Sequence, residues 1–211
     1  DECLGVHASK TYQFVCMFCP VASYYKNGIE PVKIYVEHDY KRAVKGGTGF
    51  AKTAANYAQS LRSQEEAELA GYAQVLWLDA IERKYIEEVG SMNIMFVIDD
   101  TVVTPELNGS ILPGITRASA LELLRDKGYK VEERKISIDE LIGAAKEGRL
   151  KEVFGTGTAA VISPVGEILY EGTHYVINDG KIGPVAQEMY DTIYGIQTGK
   201  IADDMGWTVE V

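Results

Sequence analysis

The sequence is poor in cysteine, in histidine and in long apolar runs, and each shortage excludes a class of protein. Three cysteines in 211 residues are too few for a disulfide framework, and the three histidines are scattered without metal-ligand spacing. No apolar run reaches the roughly 18 residues that span a bilayer. Walker, dinucleotide-binding and G-x-S-x-G motifs are also missing. We therefore expect no metal site and no membrane span.

Positive charge is also in short supply. The chain has 21 basic and 31 acidic residues, a formal net charge of -10 and a pI near 4.9. Such a balance argues against a nucleic-acid partner, because nucleic-acid binding relies on cations that neutralise phosphates. The hydrophobic content of 46% and the charged content of 25% are typical of a globular protein with a proper core. The low cysteine content favours a reducing, cytoplasmic location.

Apolar patterning predicts strands and helices mixed along the chain. The pattern predicts strands at residues 11–25, 32–36, 75–78, 85–89, 92–98, 101–104 and 131–136. It predicts helices from residue 54 to Gly71, from residue 118 to Gly128, from a Ser137–Glu140 capping box to Gly148, and over 182–196. Strands 92–98 and 101–104 are expected to form a hairpin across Asp99 and Asp100.

Cys16 and Cys19 form a C-x-x-C pair, which can bind a metal or carry redox chemistry. Residues three apart on a strand point to opposite faces, however, and no second cysteine or histidine pair follows. We therefore interpret the two cysteines as ordinary buried thiols.

Two adjacent carboxylates, Glu87 and Glu88, lie on the predicted strand 85–89, so their side chains alternate between its faces. In a central strand one of them would face the core, which is costly unless a cation pairs with it. In an edge strand both would be solvated. The sequence leaves the two interpretations open.

A glycine-rich turn delivers Lys52 to the start of a predicted helix. Residues 45–52 read Lys-Gly-Gly-Thr-Gly-Phe-Ala-Lys. Glycines let the backbone take left-handed dihedral angles or approach a ligand closely. A lysine in such a place can form a Schiff base with a carbonyl compound. It can also be a solvated surface lysine beside a flexible loop, and spacing alone does not decide.

Two more loops could hold an anion. Residues 112–117, Leu-Pro-Gly-Ile-Thr-Arg, lead into a helix whose first N–H groups and dipole favour negative charge. Residues 154–160, Phe-Gly-Thr-Gly-Thr-Ala-Ala, combine small side chains, N–H groups and hydroxyls in a second candidate cradle. Either loop taken alone could be a plain turn.

Together these segments supply a lysine amine, a strand carboxylate, a tyrosine and two anion cradles. Pyridoxal phosphate needs such a set, because an amine captures its aldehyde, an acid partners its ring nitrogen and N–H groups hold its phosphate. In this order the segments resemble class IV aminotransferases, specifically branched-chain aminotransferases. The resemblance covers nearly the whole chain and depends on motifs at residues 45–52 with 56–57, 75–78, 88–93, 112–117, 132–134 and 154–160.

The resemblance assigns the chemistry of the cofactor to four side chains. It implies that Lys52 holds pyridoxal 5'-phosphate as a Schiff base and moves the proton between the substrate α-carbon and the cofactor. Glu88 would pair with the pyridine nitrogen and keep it protonated, which makes the ring a good electron sink. Tyr57 would hydrogen-bond the phenolic oxygen of the cofactor, and Ser91 would lie beside it.

The resemblance also assigns the two cradles. Backbone N–H groups of Ile115 and Thr116, with the Thr158 hydroxyl, would hold the phosphate, and Leu112 would pack on the ring. The substrate carboxylate would be bound by groups at Thr158, Ala159 and Ala160. Some relatives carry a redox C-x-x-C just after this cradle. Ala160 and Ser163 occupy those positions here, so that switch should be absent.

The fold implied is α+β, D-amino-acid-aminotransferase-like and of fold type IV, with a mixed β-sheet or pseudo-barrel flanked by helices. We expect residues 1–25 to be the tail of a small N-terminal domain, 26–31 an interdomain linker and 32–211 the large cofactor-binding domain. In the family the small domain supplies an arginine to the phosphate and much of the side-chain pocket. Neither is expected within this sequence.

The implied reaction is ping-pong transamination. A branched-chain L-amino acid (leucine, isoleucine or valine) becomes its 2-oxo acid, and 2-oxoglutarate then takes the amino group to become glutamate. The family also implies a homodimer. Two alternatives stay open: another class IV enzyme, either a D-amino-acid aminotransferase or aminodeoxychorismate lyase, and an inactive truncated fragment. The Thr158-Ala159-Ala160 run and residues 132–134 favour branched-chain substrates.

Overall fold

The computed structural model describes residues 4–17, 19 and 29–209. Its strands are β1 Val32–Val36, β2 Gln74–Leu78, β3 Ile86–Val89, β4 Asn93–Ile98, β5 Thr101–Thr104, β6 Lys130–Glu133, β7 Leu150–Gly157, β8 Val161–Tyr170 and β9 Thr173–Val176. Its helices are α1 Ala54–Leu69, α2 Ile115–Asp126, α3 Ile138–Lys146 and α4 Pro184–Gln197, with a short 3-10 turn at Asn178–Gly180. Within the described residues no helix is long and apolar enough to cross a membrane.

The nine strands form one mixed sheet in the order β3-β2-β1-β8-β7-β4-β5-β6, with β9 paired to β8. Strand β1 runs parallel to both of its neighbours, β2 and β8, and β5 runs parallel to β6. The other neighbouring pairs are antiparallel, including the predicted β4–β5 hairpin across Asp99 and Asp100. The prediction of a mixed sheet with flanking helices is confirmed.

The sheet curls until its two ends meet. The Ile86 N–H of β3 donates to the Ile136 carbonyl, the Ile138 N–H donates to the Lys84 carbonyl, and Tyr85 pairs with Ser137. The segment just after β6 therefore covers the outer edge of β3. An edge otherwise open to solvent is closed by this contact.

Closure corrects the edge-strand interpretation of the adjacent glutamates. Strand β3 does end the sheet order, but Glu87 and Glu88 are each only 3% exposed. Both carboxylates are buried and both accept hydrogen bonds from the β5–α2 loop, Glu87 from Asn108 and Ser110 and Glu88 from the Leu112 N–H. The burial of both carboxylates is visible only in the structure, where the curled sheet is closed.

The apolar core has two main parts, on opposite faces of the curled sheet. The inner part packs strand residues such as Ile34, Leu76 and Phe96 against α3 through Leu141 and Ile142. The outer part packs Met95, Phe154 and Ile162 against α2 and α4. A third, smaller cluster holds α1 on β2. These helices thus fix the positions of the strand ends and loops that follow.

Helix α1 forms as predicted but buries a different face. Leu61 and Leu69 are exposed, while the buried residues are Asn56, Ser63 and Ala67. Ser63 donates its hydroxyl to the Glu37 carboxylate, and Glu37 also accepts the Asp39 N–H at 2.7 Å. The helix is therefore anchored to the end of β1 by polar contacts that apolar spacing does not reveal.

The N-terminal segment does not form the predicted buried strand. Residues 11–17 are irregular and exposed, and Cys16 and Cys19 are both exposed free thiols, so the buried-thiol interpretation is wrong. No strand of the described chain pairs with this apolar run. The rest of the predicted strand, residues 18 and 20–25, and linker residues 26–28 lie outside the described part of the chain. Among the described residues, no group of three or more His, Cys, Asp or Glu could hold a metal.

Local signals for the other elements are mostly confirmed, with two changes. Ser137 caps α3, accepting the Glu140 N–H at 3.1 Å, but the Glu140 carboxylate binds Arg134. The glycine-rich run at 154–157 belongs to β7, so only residues 158–160 form the turn to β8.

The start of α4 depends on a buried carboxylate. Glu152 on β7 is 5% exposed and accepts the N–H groups of Val185 at 3.0 Å and Ala186 at 2.9 Å. These donors belong to the first helical turn, where N–H groups have no partner inside the helix. Glu152 therefore caps α4 from a distant strand.

Replacing Glu152 with alanine should lower the free energy of unfolding by about 3 kcal/mol, because two buried donors lose their acceptor and a cavity remains. Urea unfolding followed by circular dichroism measures the change. The matched control is Glu147→Ala on the surface, where the carboxylate pairs with the partly exposed Arg149 side chain and the midpoint should stay constant. Equal midpoints for both variants would contradict the capping role.

Candidate active site

One cleft lies where the glycine-rich turn, the start of α1, the end of β3 and the β5–α2 loop meet. It is small and open to solvent. The cleft is lined by Arg42, Gly49, Ala51, Lys52, Asn56, Tyr57, Ser60, Glu88, Gly90, Ser91 and Leu112. Five of the residues implicated by the sequence therefore come together: Lys52, Tyr57, Glu88, Ser91 and Leu112.

The glycine-rich turn is pinned so that Lys52 faces the cleft. Asn56 is buried and donates its side-chain amide to the carbonyls of Thr48 and Ala51, both at 2.8 Å, while its oxygen accepts the Thr48 hydroxyl at 2.8 Å. A side chain at Gly49 would overlap the Ser110 carbonyl oxygen. The turn thus packs against the β5–α2 loop, which only glycine permits at this point.

Lys52 and Tyr57 form a pair across the entrance. The Lys52 ammonium donates to the Tyr57 hydroxyl at 2.9 Å, and both side chains are solvent-exposed. Tyr57 lies in the first turn of α1, and Lys52 lies just before that helix begins. The two side chains are therefore close together. An amine at this place is accessible to a small molecule that enters the cleft.

Glu88 lies deeper, with one carboxylate oxygen in a hydrogen bond and the other in an ion pair. Its Oε1 accepts the Leu112 N–H at 2.7 Å, and its Oε2 lies 3.2 Å from the Arg42 Nε. Burial raises the pKa of Glu88 from its ordinary value of 4.5 to about 7. The Arg42 charge, the Leu112 N–H and Lys52 lower this pKa, while Glu87 raises it.

The first predicted cradle runs from Leu112, which lines the cleft, to the start of α2, where Ile115 and Thr116 do not line it. Helix α2 has no side-chain cap and no acidic residue in its first turn, and Gly114 precedes it. Ile115 is exposed and Thr116 is buried. A side chain at Gly114 would overlap the Asn93 amide oxygen, whose nitrogen donates to the Leu112 carbonyl at 2.8 Å. The Asn93 amide therefore fixes the helix start next to Leu112.

The second predicted cradle is the turn from β7 to β8, and it also lies outside the cleft lining. Thr158 and Ala159 are exposed, Ala160 is buried, and Val161 has φ of 60°. Such a value is unusual for a β-branched residue and marks backbone strain of about 1–3 kcal/mol next to the turn. Strand pairing places Thr156, just before the turn, opposite Asn93, whose side-chain amide contacts the loop before α2.

Two cleft residues escaped the sequence interpretation. Arg42 is only 6% exposed, and Asn56, although part of a recognised motif, had no assigned role. Arginine and asparagine are usually surface residues. Nothing in one sequence marks Arg42 as buried, since its partners Glu88 and Ser110 are far along the chain.

Comparison with known proteins gives the family. The amino-transferase class IV family matches residues 8–168. The chain is 62% identical over 208 residues to Bacillus subtilis branched-chain-amino-acid aminotransferase 2, covering 99% of this chain and 57% of that protein. It is 57% identical over 212 residues to Bacillus subtilis branched-chain-amino-acid transaminase 1, covering 100% of this chain and 60% of that protein.

Solved structures agree. The Escherichia coli branched-chain amino acid aminotransferase superposes with a TM-score of 0.76 at 31% identity, covering 90% of this chain and 59% of that one. The Thermoproteus uzoniensis branched-chain aminotransferase with norvaline gives a TM-score of 0.73 at 30% identity, covering 90% and 58%. The chain thus spans less than two thirds of these relatives. The predicted fold class is confirmed, and the chain belongs to the class IV aminotransferases.

Proposed function

We propose that the enzyme to which this chain belongs is a pyridoxal-phosphate-dependent transaminase of branched-chain L-amino acids. The observation that carries the proposal is that the Lys52 amine and the buried Glu88 carboxylate share one cleft. The names of the relatives support the substrate class. Two further branched-chain aminotransferase structures, solved with pyridoxamine 5'-phosphate and with a phosphopyridoxyl-glutamate, support the cofactor.

The residues present fit pyridoxal phosphate. An accessible amine suits its aldehyde, a buried carboxylate suits its ring nitrogen, and an uncapped helix start without acidic residues suits its phosphate. When bound, the cofactor would act as an electron sink for the bond to the substrate α-carbon.

Three side chains of the cleft carry the proposed chemistry. Lys52 would bind the aldehyde carbon until the substrate amine replaces it there, and the released Lys52 amine would then move a proton to and from the substrate α-carbon. Glu88, held by Arg42 and Leu112, would keep a proton on the ring nitrogen. Tyr57, already 2.9 Å from the Lys52 amine, would donate to the phenolic oxygen beside that carbon.

The two cradles would hold the anionic groups. The N–H groups of Ile115 and Thr116, with the Thr158 hydroxyl, would bind the phosphate, because the free N–H groups of an uncapped helix start favour an anion. Leu112 would pack on the ring, and Ser91 would lie at its rim. The backbone at Ala159 and Ala160 would bind the substrate carboxylate.

The substrates, the location, the assembly and the domain division are proposed on the same grounds. The substrates would be leucine, isoleucine, valine and their 2-oxo acids, with 2-oxoglutarate and glutamate as the second pair. We propose a cytoplasmic homodimer, with residues 1–25, 26–31 and 32–211 as domain tail, linker and large domain.

Transamination assays decide between class IV activities. The protein with pyridoxal phosphate should convert leucine and 2-oxoglutarate to glutamate, measured by coupled glutamate detection. D-alanine with 2-oxoglutarate, and aminodeoxychorismate, are the competing substrates. Activity on D-alanine without activity on leucine would overturn the choice.

An inactive fragment is the second candidate, and a specific observation favours it. Lys52 in the cleft is exposed, Phe50 near it in sequence is 57% exposed and Ile115 at the proposed phosphate site is 80% exposed, so the proposed cofactor site is open to water. An absorbance titration with pyridoxal phosphate separates the two candidates. A folded sample that develops no Schiff-base band would favour the inactive fragment.

A further inference from the structure

A buried charged cluster lies beneath the cleft. Its members are Arg42, Glu87, Glu88 and Ser110, which are 6%, 3%, 3% and 0% exposed. They come from three separate segments: the loop after β1, strand β3 and the loop before α2. Burial of several charges in one place is costly unless their geometry compensates.

The members of the cluster contact one another in series. The Arg42 guanidinium donates through a terminal nitrogen to the Ser110 carbonyl, and its Nε lies 3.2 Å from Glu88 Oε2. The Ser110 hydroxyl donates to Glu87 Oε1, which also accepts from Asn108 at 3.2 Å. Glu87 Oε2 has no hydrogen-bond partner among the described residues.

The charge count of this cluster is unbalanced. Two carboxylates face one guanidinium, so full ionisation leaves one uncompensated negative charge in a buried place. The Lys52 charge lowers the pKa of Glu88 from the cleft side, and Arg42 is the buried cation that contacts Glu88. An opposite charge at this distance favours the ionised carboxylate, whereas the neighbouring carboxylate opposes it.

We propose that Arg42 is the positioning residue for Glu88: it aims the carboxylate into the cleft and favours its ionised form against burial and Glu87. Only an ionised Glu88 can accept a hydrogen bond from a protonated ring nitrogen on either oxygen and balance its charge. This inference therefore deepens the proposed function and depends on it for its catalytic meaning. The electrostatic part concerns the protein without cofactor.

The test is a pH titration of Glu88 in cofactor-free protein by carboxyl ¹³C NMR, with glutamate labelled and the Glu88 signal assigned as the one missing in Glu88→Gln. In Arg42→Met the pKa of Glu88 should rise by at least about one unit, a tenfold change in the protonation equilibrium. In Glu87→Gln it should fall. A purely structural role for Arg42 predicts no such pair of opposite shifts.

Several outcomes would overturn the proposal. A folded Arg42→Met protein whose Glu88 titrates as in the wild type is one, and an unchanged Glu88 in Glu87→Gln is another. If Arg42→Met does not fold, the double variant Arg42→Met/Glu88→Gln decides, because removing the charge that Arg42 balances should restore folding. Failure of that rescue would make Arg42 merely structural. Failure to bind pyridoxal phosphate would instead sink the proposed function and leave the titration result intact.

Discussion

Replacing Lys52 with alanine should remove the covalent attachment of pyridoxal phosphate and lower transamination by at least about 10³-fold. The reason is that, among the described residues, no other lysine lines the cleft to capture the aldehyde or to move the α-proton. Borohydride reduction after incubation with the cofactor, followed by peptide mass spectrometry, measures the attachment. The wild-type protein should gain one cofactor on the peptide that contains Lys52, and the variant should gain none there.

Lys45→Ala provides the matched control for this prediction. Lys45 opens the same glycine-rich turn but lines a separate cavity on the other side of the turn, with residues such as Leu107 and Asn108. Its removal should leave attachment at Lys52 unchanged. A cofactor found on Lys45 instead would show that the turn, and not the pinned lysine, is the reactive feature.

The second large effect is a pH dependence of stability carried by Glu88. Because its folded-state pKa is about 7 and its ordinary value is 4.5, the folded chain holds a proton that the unfolded chain releases between these values. This contribution is fully present below about pH 4.5 and is lost as the pH rises through 7. The shift corresponds to about 3 kcal/mol. Ionisation of this group alone therefore lowers the free energy of unfolding of the cofactor-free protein by that amount above pH 7, relative to its value below about pH 4.5.

Urea unfolding of the cofactor-free protein at pH 5 and pH 8 measures this effect. Glu88→Gln, which cannot ionise, should lose this part of the pH dependence and be the more stable protein at pH 8. Glu132→Gln is the control, since Glu132 is solvent-exposed and pairs with the partly exposed Arg134 side chain. A pH profile of Glu88→Gln that follows the wild type would show that Glu88 titrates near its ordinary value.

Elements with short-range signals were predictable from the sequence. The β4–β5 hairpin, the Ser137 cap and the helix after Gly114 form from residues close in sequence, and each is present. The aromatic run at 11–17 carries strand propensity too, but propensity alone makes no strand without a partner. Its exposure shows where pattern stops being informative.

The candidate site divides in the same way. Lys52 and Glu88 could be named because their motifs are local and chemically specific. Arg42 could not, because its burial depends on Glu88 and Ser110, and Ser110 lies 68 positions away in the chain. Likewise, the polar anchor of α1 at Ser63 depends on Glu37, a contact that no helical periodicity encodes.

The central position of β1 has a consequence for how the enzyme matures. Strand β1 lies between β2 and β8, with Val32 opposite Val165. Strand β1 is synthesised early, but it cannot complete its pairing until β8 has been synthesised. Such long-range parallel pairing is slow to form. On the ribosome, Arg42, Lys52 and Glu88 all emerge before β8. The sheet that supports them is incomplete until β8 has paired with β1. We therefore expect cofactor capture to follow the emergence of β8 and its pairing with β1.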